Sequence, residues 1–302
     1  MNVADCIVTN TEVPSARYAN AWGSIVVAHD LKDRLLHAAV LALQLRPRLP
    51  AEVTALHGLV LLHGPPGTGK TTLARGVAQE LAPLTPKRRA RFIEVNPHGL
   101  MSAEHGQSQQ KVFELLADYI PGLADDGLPT VVLLDEVESI AVARSAASLQ
   151  ANPADVHRAT DAVLTALDAI AHDHPSLIVV ATSNFTAALD EAFKSRADIA
   201  IEVPLPNADG IRTILERTLT EFGVAYSKIA DLAADPGLET VARRLVGLDG
   251  RRVRKVVTEA LGRRRETVID PDKLTMRDLA EAAAELSAAA DEPRAEAWHA
   301  AA

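Results

Sequence analysis

The chain has 302 residues, of which 48% are apolar and 3% aromatic, so its core must be built from aliphatic side chains. Its formal net charge of −9 is unlike the basic balance of a non-specific DNA-binding protein. Cys6 is the single cysteine and excludes an internal disulfide, and the start MNVADCIV lacks the pattern of a secretory signal. No apolar run reaches the ~20 residues that cross a membrane. We therefore expect a cytoplasmic protein with no membrane partner.

The first half of the chain predicts an α/β fold. Residues 1–21 are predicted to be irregular, and residues 30–45 to form an amphipathic helix with Asp30 as its N-cap. Short, continuously apolar runs then alternate with segments of helical periodicity, which is typical of parallel strands buried on both faces. The predicted strands are 58–63, 91–95, 130–135, 177–183 and 199–203, and the helices between them are 71–81, 111–120 and 154–170.

After Pro206 the pattern changes to helices alone. This change predicts a domain boundary near Pro204–Pro206. We expect a five-stranded parallel sheet flanked by helices, followed by a small all-helical domain with helices at 207–222, 238–247, 251–266 and 275–290. The predicted division is a short N-terminal segment 1–21, an α/β domain 22–205, a helical domain 206–290 and a frayed tail 291–302.

A phosphate-binding motif, GPPGTGKT, follows the first predicted parallel strand and opens a helix. Its backbone N–H groups and the helix N-terminus favour phosphate oxygens, so ATP with Mg²⁺ is the predicted cofactor pair. Lys70 is expected on the β and γ phosphates and Thr71 on Mg²⁺. The predicted nucleotide-binding residues are Gly64, Pro65, Pro66, Gly67, Thr68, Gly69, Lys70, Thr71 and Thr72.

Polar side chains also follow two later strands. VVLLDE ends in Asp135 and Glu136, and SLIVVATSN ends in Asn184. The carboxyl ends of parallel strands are where open α/β sheets bind ligands. Asp135 is therefore predicted to hold Mg²⁺, Glu136 to be the general base that activates the attacking water, and Asn184 to help position that water. A second acid beside the metal ligand favours hydrolysis over nucleotide binding alone.

Basic residues cluster at several places, and each cluster allows more than one interpretation. Arg196 lies just before the last predicted strand, and GRRVRKVV opens a helix in which Arg251 and Arg254 lie one turn apart. The runs 87–91 and 263–265 are also basic. A solvated basic face is the simpler interpretation, and the acidic balance of the chain argues against nucleic acid as a partner.

These motifs, in this order and before a helical domain, resemble those of the AAA+ ATPases. The segments NAWGSIV, LLDEVESIAVAR, NPADVHRATDAVLTALD, TSNFTAALDEAFKSRADI and GRRVRK look more specifically like the pachytene-checkpoint ATPases, also known as the thyroid receptor-interacting protein family, which remodel HORMA-domain proteins. The resemblance covers roughly residues 20–290. It implies an ATPase made of an α/β nucleotide domain and a helical lid, assembled as a homo-hexameric ring.

The resemblance also implies roles for individual residues. Arg196 falls in SRADI, where the family has the arginine finger that acts in trans on the neighbouring subunit's γ phosphate, and Arg251 matches an arginine that reports nucleotide state to the lid. Trp22, Ile25 and Val26 match a segment near the adenine. Residues 144–158 match the second pore loop.

The activity implied is ATP hydrolysis coupled to pulling a client through the ring pore. Bacterial members are associated with antiphage signalling by cyclic oligonucleotides, which implies a HORMA-domain client, bound to a nucleotidyltransferase, as partner. The alternative is another AAA+ motor that feeds a protease or acts on nucleic acid. Eukaryotic members carry an additional N-terminal domain, whereas 21 residues precede Trp22 here. We therefore expect the client to be recognised by the ring surface, the short N-terminal segment or the pore.

The stretch GLMSAEHGQSQQ matches the first pore loop of that family. In the family this loop carries a bulky aromatic pair that grips the client, but here Glu104 and His105 take those positions. We expect a weaker or more client-specific polar grip. The predicted pore-loop residues are Leu100, Met101, Glu104, His105 and Gly106.

Overall fold

The computed structural model describes residues 3–100, 107–143 and 153–291. They form two compact units, which are treated separately below. The first unit comprises the chain up to Pro65 together with Gly69–Val203, and the second comprises Pro66–Thr68 and the chain from Pro204 onward.

The first unit is built on a six-stranded sheet with the order β1-β3-β4-β5-β2-β6. Strands β2 to β6 are parallel, as the apolar runs predicted. The strands are β1 (Ile7–Val13), β2 (Leu59–His63), β3 (Ala90–Val95), β4 (Thr130–Leu134), β5 (Leu177–Ser183) and β6 (Ile199–Glu202).

Both faces of the sheet are buried at its four inner strands, which explains why β2, β3, β4 and β5 are mostly apolar. On β2, Leu61 packs with the helices that follow β3 and β4, whereas its neighbour Leu62 packs with the helix that follows the phosphate-binding loop. Each is 1% exposed or less. Successive side chains of a strand point to opposite faces, so a strand between two helical layers needs apolar residues at every position.

One strand was not predicted. The segment expected to be irregular contains β1, which pairs antiparallel with β3 at the edge of the sheet, from Ile7 opposite Val95 to Val13 opposite Ala90. The prediction of an irregular N-terminal segment and of five strands was therefore wrong. β1 was overlooked because it is mostly polar, as an edge strand with one solvated face can be, and only Thr9 and Val13 are buried.

The helices that the sequence predicted for the first unit lie close to their positions in the structure, which also contains short helices that were not predicted. The second helix begins at His29, with Ala28 as its N-cap residue, so Asp30 lies in its first turn and the prediction that Asp30 is the cap was wrong. Residues Glu114–Tyr119 form a π-helical stretch. The helices are α1 (Ala21–Ser24), α2 (His29–Leu45), α3 (Ala51–Thr54), α4 (Lys70–Leu81), α5 (Gln107–Phe113), α6 (Ile120–Leu123), α7 (Pro153–Asp173) and α8 (Glu191–Ser195).

The second unit is helical, and side-chain caps begin two of its longer helices. Asn207 accepts a hydrogen bond from the backbone N–H of Gly210, and Asp249 accepts from Arg251 and Arg252. No helix among the described residues is long and apolar enough to cross a membrane. The helices are α9 (Ala208–Gly223), α10 (Ser227–Asp231), α11 (Gly237–Arg244), α12 (Gly250–Gly262), α13 (Arg265–Ile269) and α14 (Met276–Asp291).

Candidate active site

The predicted phosphate-binding loop connects β2 to α4. Gly64 and Gly69 adopt φ angles of 139° and 98°, which L side chains rarely adopt. A Cβ at Gly64 would lie 2.4 Å from the carbonyl oxygen of Val203, and one at Gly69 would lie 2.5 Å from Cδ1 of Ile25. Both glycines are therefore required by the geometry. Ile25 was predicted to lie near the nucleotide, and it does pack against this loop.

Lys70 begins α4, and its side chain turns back across the loop. Its Nζ donates hydrogen bonds to the carbonyl oxygens of Gly64 and Pro65, both at 2.8 Å. Burial lowers the pKa of Lys70, while the carboxylates of Glu138, Asp135 and Glu136 oppose that shift. The ammonium group is thus held across the loop by two of its carbonyl oxygens, and a positive charge at this place suits the phosphates of ATP.

Thr71 and Asp135 meet at the carboxyl edge of the sheet. The Thr71 hydroxyl donates to Oδ1 of Asp135 at 2.8 Å. Hydroxyl and carboxylate oxygens are the hard ligands that Mg²⁺ prefers, and Mg²⁺ sites at phosphates use one or two such groups. The residues present therefore fit an ATP–Mg²⁺ pair, and Thr71 and Asp135 are the residues that would hold the metal.

Thr182 is a residue of this edge that the sequence analysis missed. It is 1% exposed near the end of β5, and its hydroxyl donates to the same Oδ1 of Asp135 at 2.6 Å. The same hydroxyl accepts the backbone N–H of Glu136 at 3.0 Å. Thr182 thereby fixes both acids relative to β5. Its place in the strand-end run ATSN, two residues before Asn184, was the available indication.

Glu136 is held in an unusual backbone conformation. Its φ and ψ are 53° and 54°, in the left-handed region, which costs a non-glycine residue roughly 1–2 kcal/mol. Its exposed side chain approaches Asn184, whose Nδ2 lies 3.3 Å from Oε1 of Glu136. Strain of this kind persists where the surroundings impose it, often at active sites. The structure thus brings together the predicted base and the residue predicted to position water.

Glu138 supports Asn184 from the other side and was also missed. Its Oε1 accepts the backbone N–H of Asn184 at 3.0 Å. Its Oε2 is buried and has no hydrogen-bond partner within the described part of the chain. Glu138 is the third acid of the motif DEVES, and that place was its only sequence signal. It was missed because an acid in a turn is usually solvated.

Arg196 lies away from these acids in sequence, just after α8. Its Nε and Nη2 donate to the two carboxylate oxygens of Asp168 on α7, at 2.7 and 2.8 Å, and its Nη1 donates to the carbonyl oxygen of Ala192 at 2.9 Å. These hydrogen bonds lower the pKa of Asp168 by favouring its charged form. Action of Arg196 in trans stays a prediction.

The remaining predicted residues are placed as follows. Arg251 is an exposed residue in the first turn of α12 in the second unit, and its role at the nucleotide stays a prediction. Trp22 and Val26 are half-buried, and the backbone of Trp22 passes so close to Gly76 on α4 that a Cβ there would lie 2.8 Å from its nitrogen. Pro66–Thr68, the tip of the loop, belongs to the second unit. Thr72 lies in the first turn of α4.

The predicted first pore loop is described only at its start. Leu100 is 1% exposed and packs in the core formed with α5 and α7. The side chain of Leu100 therefore packs inside the first unit, and its place in the pore loop stays a prediction. Met101, Glu104, His105 and Gly106, together with 144–152 of the predicted second pore loop, lie outside the described residues.

Part of the chain matches a known family of ATPases. Residues 60–205 match the model of the ATPase family associated with various cellular activities (AAA). CD-NTase-associated protein 6 of Pseudomonas aeruginosa is 44% identical over 268 residues, which cover 89% of this chain and 88% of that protein. The pachytene checkpoint protein 2 homolog of Danio rerio is 34% identical over 81% of this chain, which spans 62% of its length.

Solved structures show the same fold. The structure of C. elegans PCH-2 superposes with a TM-score of 0.74 at 25% identity and covers 93% of this chain and 75% of that one. A chain of the E. coli MS115-1 HORMA:CdnC:Trip13 complex gives a TM-score of 0.70 at 19% identity and covers 94% of this chain and 96% of that one. At that identity the second match shows the fold alone. The chain belongs to the family of AAA ATPases that includes CD-NTase-associated protein 6 and the pachytene checkpoint protein 2 homologues.

Proposed function

We propose that this chain hydrolyses ATP with Mg²⁺ and uses the energy to take apart a complex between a HORMA-domain protein and a nucleotidyltransferase in bacterial antiphage signalling. The observation that carries hydrolysis is the carboxyl edge of the sheet. There Asp135 accepts hydrogen bonds from Thr71 and Thr182, and Glu136 lies beside Asn184. When water attacks a phosphate, one group holds the metal and a second, adjacent carboxylate accepts the proton of the water. Asp135 and Glu136 are placed for these two roles.

The client class is supported by the relatives rather than by the site. One relative with 44% identity is named a CD-NTase-associated protein, and one solved assembly of the same fold contains HORMA and CdnC proteins. We extend the client of those proteins to this chain. Assembly as a homo-hexamer, with Arg196 acting in trans, belongs to the same proposal.

A nucleic-acid motor is the weaker alternative, because arginines of the basic runs 87–91 and 263–265 are paired with carboxylates of the same chain. In the run 87–91, Arg91 pairs with Asp126, and in the run 263–265, Arg264 pairs with Asp278 at 2.6 Å. Arginines paired with carboxylates on their own chain give little net attraction to phosphates. Nothing in the described residues favours a protease partner.

Replacement of the general base tests hydrolysis. We expect Glu136→Gln to bind ATP as the unchanged protein does but to lose turnover by about 10²–10⁴-fold, the range for a positioned general base. Phosphate release and binding of a fluorescent ATP analogue measure the two properties. Glu52→Gln, at an exposed glutamate of α3, is the matched control and should turn over normally. Normal turnover of Glu136→Gln would remove Glu136 from the reaction.

The client is tested separately with a purified HORMA-domain protein bound to its nucleotidyltransferase. We expect ATP and the unchanged protein to separate the two on size-exclusion chromatography, and Glu136→Gln with ATP to remain bound to the complex without separating it. If the complex stays intact while ATP is consumed, hydrolysis stands and the client assignment fails.

A further inference from the structure

The side chain of Arg196 is ordered by a carboxylate of its own subunit. Three of the five N–H donors of its guanidinium are used, two by Asp168 and one by the carbonyl oxygen of Ala192. The fork-to-fork geometry with Asp168 fixes both the position and the plane of the guanidinium. The side chain of Arg196 is 22% exposed, so the group lies at the surface.

The helix that carries Asp168 is held in place by core packing and by a hydrogen bond. Ala166, Leu167 and Ile170 of α7 are buried in the core on one face of the sheet. The C-terminal turn of α7 is also held by Arg46, a 6%-exposed residue at the end of α2, whose Nη2 donates to the carbonyl oxygen of Ile170 at 2.9 Å. The backbone of Asp168, two residues from that contact, is thereby anchored.

The backbone next to Arg196 is anchored independently of Asp168. Asp198 accepts the backbone N–H groups of His57 and Gly58 at 2.7 and 2.9 Å, and its own N–H donates to the carbonyl oxygen of Leu59 at 2.8 Å. These bonds hold the start of β6 against the start of β2. Loss of Asp168 should therefore release the side chain of Arg196 without moving its backbone.

We propose that Asp168 is a positioning residue for Arg196, an inference that rests on the proposed action of Arg196 on the neighbouring subunit's nucleotide. An arginine side chain loses considerable rotamer freedom when it is fixed against a phosphate. Asp168 imposes most of that order before the neighbour arrives. It leaves the two N–H groups that the three bonds do not use for the phosphate oxygens. The imidazole of His57 also lies beside Asp168, with Nε2 at 4.0 Å from Oδ1.

The first test is steady-state hydrolysis by the full chain. We expect Asp168→Ala to lower kcat on the order of tenfold by restoring rotamer freedom to Arg196, with KM for ATP and the urea midpoint unchanged. Asp168→Glu, which keeps both carboxylate oxygens, should recover part of the loss. Asp161→Ala, at an exposed aspartate two turns earlier on α7, is the control and should be normal. A kcat for Asp168→Ala equal to or above that of the unchanged protein overturns the proposal.

Subunit mixing tests whether the loss of turnover in Asp168→Ala acts through Arg196. Asp168→Ala subunits have an intact nucleotide site, and Glu136→Gln subunits have an intact Arg196, so mixed assemblies should regain turnover. The mixture of Arg196→Ala and Glu136→Gln subunits is the reference, because its turnover shows how much activity mixing can restore. If that mixture recovers and the Asp168→Ala mixture does not, Asp168 acts within its own site and the proposal is wrong. If Arg196→Ala alone turns over normally, or is not recovered by mixing, the failure lies with the arginine in the proposed function.

Discussion

Two arginines hold the same end of α7 in opposite environments. Arg46 is buried and donates to the carbonyl oxygens of Ile170, Ala171, His174 and Leu177. Arg196 lies at the surface and pairs with Asp168, whose side chain is 50% exposed. The two side chains carry the same group and differ in burial and in the charge of their acceptors.

This difference in burial and acceptors predicts different roles for the two arginines. Buried carbonyl groups need hydrogen-bond donors, and removing Arg46 takes a charged donor from these oxygens in the interior. The oxygens of Ile170 and His174 would keep one backbone N–H each. An exposed ion pair contributes little to stability because water screens it. Arg46 should therefore matter for folding and Arg196 for turnover, and three substitutions test that division.

The largest expected effect is on turnover. Arg196→Ala should lose ATP hydrolysis by a factor on the order of 10³, the scale of arginine-finger effects, because the charge that stabilises the transition state would be absent. The urea midpoint and the affinity for an ATP analogue should stay the same. Arg212→Ala, which removes an exposed partner of Glu216 in the second unit, is the control and should change neither property.

A drop in stability as large as the drop in turnover would contradict the division. Arg196 would then be a structural residue, and its loss of activity would report unfolding rather than chemistry.

The next effect is on stability. Arg46→Ala should lower the free energy of unfolding by on the order of 3 kcal/mol, because the carbonyl oxygens at the end of α7 lose a charged donor. Gly58, where a Cβ would lie 2.0 Å from Nη1 of Arg46, shows how closely the site is packed. Urea denaturation measures the change, and Arg48→Ala, at an exposed arginine two residues later, should leave stability within the error. Equal midpoints for the two variants would show that water replaces Arg46 at no cost.

The sequence predicted the parts of this molecule that depend on local pattern. Leu61 and Leu62 identify a strand buried on both faces, and the glycines before Lys70 follow the pattern of a phosphate-binding loop. Asp135 and Glu136 follow from the rule that ligands bind at the carboxyl ends of parallel strands. In each case the residues that carry the information are adjacent in the chain.

The parts that were missed depend on partners far apart in sequence. Thr182 lies 47 residues from Asp135, Asp168 lies 28 from Arg196, and Arg46 lies 131 from Leu177. Each side chain is ordinary in its own segment, since Arg46 ends an amphipathic helix and Asp168 lies on an exposed helix face. Only the pairing of strands and helices shows which residues meet, and that pairing is set by the packing of the whole sheet rather than by a local pattern.

The smallest effect comes from an ion pair of intermediate burial in the second unit. The side chain of Asp278 is 5% exposed, and that of its partner Arg264 is 40% exposed. Burial by itself would raise the pKa of Asp278, but hydrogen bonds from Arg264 and Thr275 outweigh it and lower the pKa from 3.8 to about 2. A carboxylate with a depressed pKa stabilises the fold above its unfolded pKa, and that stabilisation is lost as the pH falls through the folded value.

The contribution of Asp278 should be about 2 kcal/mol near neutral pH and should fall by about half at pH 3. Asp278→Asn lacks the titrating group, so its deficit in unfolding free energy relative to the unchanged protein should shrink between pH 6 and pH 3. Urea denaturation at both pH values measures that deficit. Asp231→Asn, at an exposed aspartate of α10, should show no such change. A deficit for Asp278→Asn that is the same at both pH values would mean that Arg264 stabilises Asp278 no more than water does. Burial of one partner would then be too little to make an ion pair structural.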